Sequence, residues 1–387
     1  KQTGIHAYQS GGWSISEPEN TESNLNAAWA YLESEITMWR GDGKAVSLLQ
    51  LEKLLAAGPY GVKNGLAKVL IFAKIIEHRR ELSIYEDGTF TPDVYKDTLE
   101  RMMKLPRKFS LVYVPQNDSH AEFLKRVSDV FDSEIEEPTI LLVVSAIIRY
   151  VSSLPYYTKH TNTLSASAKR FIKTVLRASS PEALLFVSIP EALGISTESA
   201  DFDLVSQPEE MFKNLLAVRN EIENNYPQLQ QKCIQQFSRT WGFKASNIDV
   251  LRKELLLRVS KDLSELIVEE SLTAFYNRVQ DDAVGNKAWF NSVVSFLANR
   301  PLEKWHDDHL ILFGNELRRK HFQVEEIYRL KQSSLASLSQ DKNLNYVAHM
   351  ITETIKNANI DDSELEALIE LLRKYYPDAE KAYYEQD

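Results

Sequence analysis

The distribution of glycine is the feature of this sequence that most restricts its fold. Nine of the 13 glycines lie at or before Gly88, and only Gly194, Gly242, Gly285 and Gly314 follow in the remaining 299 residues. Tight hairpin turns depend on glycine at backbone positions with positive φ, so a stretch this poor in glycine offers few places for them. The sequence therefore predicts a mainly α-helical chain whose N-terminal third differs in kind from the rest.

The length and composition are those of an ordinary globular protein with more than one packed unit. A chain of 387 residues is longer than one hydrophobic core usually fills, and 43% of its residues are hydrophobic and 26% charged. The single cysteine, Cys233, excludes an intrachain disulfide and a cysteine-based zinc finger. The longest apolar run, near Thr139–Ile148, is about half of the ~20 residues that span a bilayer, so we expect no membrane contact.

The N-terminal third has the element order of a winged helix-turn-helix. Residues 1–20 are polar and glycine-rich and are predicted to form an irregular lead-in. Residues 81–90 are typical of two short strands joined at Asp87-Gly88, and a strand over 111–114 is expected to pair with them. Apolar periodicity predicts three helices before this hairpin, over 22–40, 47–57 and 62–80. We therefore predict a winged-helix domain over residues 21–115.

The remaining sequence predicts an α-helical array, divided into a helical domain over 116–200 and a C-terminal helical domain over 201–387. Residues 139–153 are apolar on nearly all sides and predict a central buried helix. Ser363 and Glu366 form a capping box that begins a last helix ending at Pro377. Long helices are expected over 209–224, 228–240, 248–281, 285–299 and 307–333.

The charge distribution places any contact with nucleic acid in the winged-helix region. The chain carries a net charge of −10, but residues 40–110 contain 13 Lys and Arg against 9 Asp and Glu, which leaves −14 for the rest. A duplex would be bound mainly through phosphate contacts. The candidate nucleic-acid-binding residues lie in and after the third helix: Lys63, Asn64, Lys68, Arg79 and Arg80.

The same helix also has a protein-packing interpretation. Apolar residues cover most of its circumference, whereas a helix that reads a DNA groove keeps one polar face. The acidic pair Glu86-Asp87 at the predicted wing tip would repel phosphate. The sequence leaves open whether this unit contacts double-stranded DNA or only other protein subunits.

Motifs of the common enzyme classes are missing from this sequence. It contains no phosphate-binding P-loop, no dinucleotide fingerprint after a strand, no GxSxG elbow and no HExxH helix motif. The segment Trp305-His306-Asp307-Asp308-His309 has metal-ligand residue types, and His306 and His309 are weak candidate ligands, because a third ligand is not evident. No cofactor is expected, and catalytic activity in this chain is the less favoured hypothesis.

Two stretches resemble a known family. Pro59-Tyr-Gly-Val-Lys-Asn-Gly65 with Leu82-Ser-Ile-Tyr-Glu-Asp-Gly-Thr-Phe90 resembles the winged-helix region that follows the ATPase core in very large bacterial P-loop ATPases, including those of BREX-type phage-resistance systems. Residues 152–161 and 181–190 are similar to the helical region downstream in such proteins. The resemblance implies that this chain is the C-terminal part of such an ATPase, or a stand-alone relative. The nucleotide-binding residues of that family have no counterparts here.

These observations lead to a functional hypothesis with open alternatives. We expect a non-catalytic module that binds DNA or protein in a cytoplasmic bacterial anti-phage defence or DNA-transaction complex. The alternatives are a pure protein scaffold and a metal-dependent enzyme, such as a diverged nuclease, around His306–His309. The chain begins with Lys1 rather than Met, so we expect it to be a processed or partial sequence.

Overall fold

The computed structural model describes residues 5–337 apart from 10–11, 19–23, 40–43, 115–116, 133, 197–204, 206–207 and 265. These residues form two compact units: one contains residues up to Gln230 together with Glu303–Asp307, and the other contains Gln231–Leu302 and the residues from Asp308 onward. The domain boundaries predicted near residues 20, 115 and 200 stay predictions. The structure is mainly helical, as the scarcity of glycine indicates.

The first strands lie where an irregular lead-in was expected. Strands β1 (His6–Gln9) and β2 (Gly12–Ile15) pair antiparallel, with His6 opposite Ile15. Ile5 is buried and Ile15 packs against the core of the N-terminal part of the first unit. Contacts with that core, rather than the local polar composition, decide the structure of this stretch.

A four-stranded antiparallel sheet follows. Its order is β3-β6-β4-β5, so the last of these four strands lies between two earlier ones. The predicted hairpin and its pairing with the later strand are both present: β4 pairs with β5, and β6 pairs with β4 from Leu82–Tyr113 to Glu86–Phe109. The strands are β3 (Val46–Ser47), β4 (Leu82–Glu86), β5 (Thr89–Thr91) and β6 (Phe109–Tyr113).

Four helices surround this sheet, three of them at the positions that apolar periodicity predicts. They are α1 (Asn24–Trp39), α2 (Leu48–Ala56), α3 (Asn64–Glu77) and α4 (Lys96–Lys104). Their inward side chains and those of the sheet form one core, which includes Trp29, Leu32, Leu51, Leu55, Leu70, Ile71, Met102, Phe109 and Leu111. Burial of these side chains, at about 1.5–3 kcal/mol each, is what holds the short strands in place.

A second hydrophobic core fills the helical region that follows in the same unit. Its centre is the predicted buried helix, whose N-cap Thr139 accepts a hydrogen bond from the backbone of Leu142. Phe90 of β5 also belongs to this core, so the hairpin packs against it. The helices are α5 (Ala121–Phe131), α6 (Ile140–Ser153), α7 (Tyr156–His160), α8 (Ala166–Leu176), α9 (Pro181–Ala183) and α10 (Ile189–Ala192), with a π-helical turn at Leu184–Ser188.

Proline does not end the next helix, contrary to the sequence expectation. Helix α11 runs from Glu209 to Trp241 through Pro227. An interior proline removes one backbone hydrogen bond and costs about 3 kcal/mol. Ile222 and Leu229, one on each side of Pro227, are both buried, and packing of that kind offsets the cost.

In the second unit, one of the predicted long helices is divided in two. The expected helix over 248–281 is two helices, because the chain leaves the helix after Arg258 and forms a 3-10 turn at Lys261–Leu263. The helices are α12 (Ile248–Arg258), α13 (Glu270–Gln280), α14 (Asn286–Leu297) and α15 (His309–Ser337). The predicted last helix after Ser363 lies outside the described residues. No helix among the described residues has the length and apolar character to cross a membrane.

The hairpin turn gives a direct test of the sheet. Asp87 and Gly88 have φ values of 49° and 81°, which a β-branched residue adopts poorly. Gly88→Val should therefore lower the free energy of unfolding by about 1–2 kcal/mol. Gly65→Ala is the matched control, because this helical glycine has space for a Cβ and should gain about 0.5 kcal/mol. Urea unfolding of both variants measures the difference. A free energy of unfolding that Gly88→Val leaves unchanged would contradict this turn.

Candidate functional site

The first turn of α3 presents two of the residues predicted to bind nucleic acid. Lys63 is the N-cap residue of α3, and its carbonyl oxygen accepts the backbone N–H groups of Leu66 and Ala67. The side chains of Lys63 and Asn64 are exposed, and neither forms an ion pair within the described part of the chain. Both are accessible to a ligand.

Lys68 is engaged inside the protein. Its Nζ atom donates to the backbone carbonyl of Met103 at 2.6 Å and lies 3.8 Å from a carboxylate oxygen of Glu52. Partial burial raises the pKa of Glu52, while the charge of Lys68 opposes that rise. Lys68 thereby ties α3 to α4, and its charge is largely compensated before any ligand arrives.

The two arginines that follow α3 differ in their surroundings. Arg80 forms an ion pair with Glu137, although the guanidinium stays about half exposed. Arg79 is exposed and borders a cavity of about 130 Å³ between α3, the hairpin and α6. Lys63 and Arg79 lie beyond opposite ends of α3, whose 14 residues span about 21 Å at 1.5 Å of rise per residue. The five predicted residues therefore do not form one continuous patch.

The acidic tip of the β4–β5 hairpin is neutralised within the fold. Glu86 accepts two hydrogen bonds from Arg101, each 2.9 Å long, and Asp87 accepts one of 2.8 Å from Lys108. A bidentate arginine–carboxylate pair is among the stronger surface ion pairs. The hairpin tip thus repels phosphate less than the sequence suggests.

An apolar stripe runs along the outside of α3. We name it the α3 outer face and define it as Gly65, Val69, Phe72 and Ile76, which are spaced as neighbours on one side of a helix. Val69 is 52% exposed and Ile76 is 50% exposed, while Phe72 is partly buried against the core. Large apolar side chains aligned and exposed in this way are typical of a protein contact surface.

A cluster of buried charge lies on the opposite side of the same helix. Lys74 is 3% exposed, and its Nζ atom lies 2.6 Å from a carboxylate oxygen of Glu33 and 2.8 Å from one of Glu77. The ammonium group also lies 4.0 Å from the ring centroid of Trp29. We call Glu33, Lys74, Glu77 and His78 the α1–α3 charge cluster.

His78 extends this cluster to the sheet. Its Nε2 atom lies 3.0 Å from Glu33 and its Nδ1 atom 3.3 Å from Glu81, which in turn accepts a hydrogen bond of 3.0 Å from the hydroxyl of Tyr113. Partial burial by itself raises the pKa of Glu33, but the hydrogen bonds from Lys74 and His78 outweigh it, so the pKa lies below its usual value. The cluster links α1, α3 and β6.

The cluster also has the residue types of a metal site. Among the described residues, Glu33, Glu77 and His78 are three ligand types whose donor atoms lie within 4.8 Å of one another. The ammonium of Lys74 contacts two of these oxygens, so a divalent ion would have to displace it. The arrangement is that of an ion-pair network that positions α1 on α3.

The two histidines proposed as weak metal ligands have separate surroundings. The ring of His306 lies edge-on to Tyr156 at 5.1 Å and 6.4 Å from the ring of His160. His309 Nδ1 lies 2.9 Å from a carboxylate oxygen of Asp308. Neither histidine belongs to a group of three close ligands in the region that the structure describes. The metal hypothesis for His306 and His309 stays a prediction.

Comparison with known proteins adds no relative. No protein-family model, curated protein or solved structure matches this chain. The resemblance to large bacterial P-loop ATPases therefore stays a prediction, and the site has to be interpreted from its own geometry.

Sequence reasoning missed the α1–α3 charge cluster. Lys74, Glu77 and His78 show the spacing of neighbours on one helix face, which is a usable signal. Their partner Glu33 lies 41 residues before Lys74, and helical periodicity alone does not identify which helix supplies it. The structure buries Lys74, the central cation of the cluster.

Removing the buried cation should destabilise the first unit. Lys74→Met leaves two carboxylates facing each other without their counter-ion, and we expect a loss of about 3 kcal/mol in the free energy of unfolding. Lys104→Met is the matched control, because Lys104 forms an exposed pair with Glu100 and should change stability by less than about 1 kcal/mol. Urea unfolding at neutral pH measures both, and equal effects would contradict the cluster.

The lowered pKa of Glu33 also predicts a pH dependence. A carboxylate whose pKa is lower in the folded state stabilises the fold above its unfolded pKa of about 4.5, and this contribution is lost as the pH falls through the folded value. The stability difference between the wild type and Glu33→Gln should therefore be largest near neutral pH and shrink below about pH 4.5. Urea titrations across this range test it, and a difference that grows on acidification would refute it.

Proposed function

We propose that residues 24–113 form a winged-helix unit with an enlarged wing that serves as a protein-interaction module. The chain order α1, β3, α2, α3, β4 and β6, with β6 between β3 and β4, supports this interpretation. In it, β5 and α4 are an insertion between the two long strands. We assign this unit a binding role rather than a catalytic one, because the charged groups of the α1–α3 charge cluster pair with one another.

The α3 outer face is the observation that carries this proposal. Val69 and Ile76 expose about half of their side chains on the helix that would read DNA in a nucleic-acid-binding winged helix. A groove-reading helix places polar and cationic side chains at such positions. Burying the exposed half of each of these two side chains against a partner is worth about 0.8–1.5 kcal/mol for each. The helix is therefore better suited to a protein than to a groove.

Charge defines the partner more closely. Arg79 follows the C-terminal end of α3, and Lys63 lies at its N-terminal end, so an exposed cation lies near each end of the α3 outer face. A complementary surface would present an apolar helix face bordered by carboxylates. Its aliphatic side chains would pack against Val69 and Ile76, and its carboxylates would pair with the lysine and arginine side chains. We propose a protein partner of this chemistry.

Binding of double-stranded DNA is the second candidate. The neutralised hairpin tip, with Glu86 on Arg101 and Asp87 on Lys108, favours it. Lys63 and Arg79 are the predicted cations that form no ion pair within the described residues. Two phosphate contacts would give log K a slope of about −1.8 against log salt, so any binding would be weak and sequence-independent.

The biological setting in this proposal comes from the sequence resemblance alone. It is a cytoplasmic complex built around a large bacterial P-loop ATPase of the phage-defence kind, in which this chain contributes contacts rather than chemistry. A pure scaffold role is a narrower form of the same proposal. A metal-dependent enzyme around His306 and His309 is an alternative that metal analysis of the purified protein would reveal.

The protein-contact proposal predicts a specific loss of binding. Val69→Glu with Ile76→Glu places charge on the α3 outer face and should weaken partner binding at least tenfold without changing the circular dichroism spectrum. Leu257→Glu is the matched control, because Leu257 is 72% exposed in the other unit. The partner is purified with the wild-type chain from its host, identified by mass spectrometry and reconstituted with each variant as a purified pair. Equal affinity of the two variants would refute the proposal.

The DNA candidate has its own measurement. Fluorescence anisotropy with a 20-base-pair duplex at about 50 and 200 mM salt measures the affinity and its salt slope. Binding by the wild type that falls at least tenfold in Lys63→Glu with Arg79→Glu, but not in Val69→Glu with Ile76→Glu, would replace the protein-contact proposal. Absence of duplex binding at low salt would remove DNA from consideration.

A further inference from the structure

The second unit contains a cavity that is wide open to solvent. Its volume is about 690 Å³, and it lies between α13, α14 and α15. The wall includes Ser271, Arg278, Phe296, Arg300 and Glu316. The lining combines apolar surface with hydroxyl, guanidinium and carboxylate groups, which is the mixture found in small-molecule sites.

A serine–lysine pair lies at the wall of this cavity. Lys320 on α15 is fully buried, and its Nζ atom is hydrogen-bonded to the hydroxyl of Ser271 in the first turn of α13. The same Nζ atom lies 3.2 Å from the amide oxygen of Gln323. Ser271 itself is partly exposed and reaches the cavity. The geometry places an amine directly behind a hydroxyl that a ligand can reach.

The carboxylates around Lys320 lie farther from its Nζ atom than the hydroxyl and amide oxygens do. Carboxylate oxygens of Glu269 and Glu316 lie 3.8 and 3.9 Å from Nζ. Glu269 accepts a hydrogen bond of 2.7 Å from Gln323, and Glu316 accepts two from Arg319. Both carboxylates are therefore partly committed to other donors.

These surroundings act on the protonation of Lys320 in opposite directions. Burial is the largest effect and lowers the pKa of Lys320; the charge of Arg319 adds to it, while Glu269 and Glu316 raise the pKa. The net direction is a lowered pKa. A lowered pKa favours the neutral amine of lysine. The neutral amine is the form that can accept a proton from a nucleophile.

We propose that Ser271 is the nucleophile and Lys320 the general base of an acyl-transfer site that hydrolyses an ester or amide. Arg278 and Arg300 on the cavity wall favour a substrate that carries an anionic group. This activity is separate from the contacts proposed for the winged-helix unit, since it lies in the other compact unit.

The reaction balances with water as the co-reactant. The Ser271 oxygen forms a bond to the substrate carbonyl carbon while its proton passes to the neutral amine of Lys320. The carbon–oxygen or carbon–nitrogen bond to the leaving group then breaks, and the leaving group takes that proton. Water attacks the resulting acyl ester of Ser271, Lys320 accepts a proton from the water and returns it to the serine oxygen, and a carboxylic acid is released.

The position of Ser271 in its helix supplies a place for the developing negative charge. Helix α13 begins at Glu270, so the first backbone N–H groups, including those of Ser271 and Leu272, have no acceptor within the helix. Such N–H groups and the positive end of the helix dipole stabilise an oxyanion. The nucleophile and the candidate oxyanion donors therefore belong to one turn.

The test uses the full chain with two probes, a fluorophosphonate that labels activated serines and p-nitrophenyl acetate as substrate. Ser271→Ala should abolish labelling and hydrolysis. Lys320→Met and Lys320→Arg should each slow both by about 10²-fold or more, since neither can act as a base. Ser246→Ala is the matched control, because Ser246 is an exposed serine of the same unit that does not line the cavity. Its rates should equal those of the wild type.

Two further measurements keep the test decisive. Peptide mapping should place the label on Ser271, and the labelling rate of the wild type should rise with pH through a value below the ordinary lysine range. Should Lys320→Met fail to fold by circular dichroism, Lys320→Arg and the pH profile decide. An unlabelled Ser271, or a rate that Lys320→Arg leaves unchanged, would overturn the proposal and leave the pair as a structural contact.

Discussion

The buried ammonium of Lys74 is the constraint on which the N-terminal part of the structure depends. A charge removed from water is tolerated only with close counter-charges, and Glu33 and Glu77 supply them at 2.6 and 2.8 Å. These contacts set α1 against α3, and His78 continues them through Glu81 to Tyr113 in β6. With one side of α3 committed in this way, Val69 and Ile76 remain on the opposite side, where they are about half exposed.

Among the described residues, Lys74 and Lys320 are buried, and the distances to their neighbours give them different roles. Lys74 contacts two carboxylate oxygens directly, so its charge is used to hold two helices together. Lys320 contacts a hydroxyl and an amide instead, and its nearest carboxylates lie almost 4 Å away. The pKa of Lys320 is lowered by burial. The first arrangement stabilises a fold, and the second leaves an amine beside a nucleophile.

Much of the local structure could be predicted from the sequence, because it depends on residues close together in the chain. Apolar spacing located α1, α2, α3 and α6, and Asp87-Gly88 located the hairpin. The errors came where packing overrides a local signal. Pro227 lies inside α11, where Ile222 and Leu229 on either side of it are buried in the core. The expected helix over 248–281 divides after Arg258 without any glycine or proline to mark the break.

The sequence by itself determined the helical class, since four glycines in 299 residues leave few positions for tight turns, and it determined the hairpin and the buried α6 through turn chemistry and apolar spacing. The tertiary structure decided which charged side chains are available to a ligand and which are paired within the protein. It engages Lys68 with Met103 and Arg80 with Glu137, and it brings Ser271 to Lys320 across 49 residues. The reason is physical: periodicity records which face of an element is buried, whereas the partner of a charged side chain depends on which elements pack together.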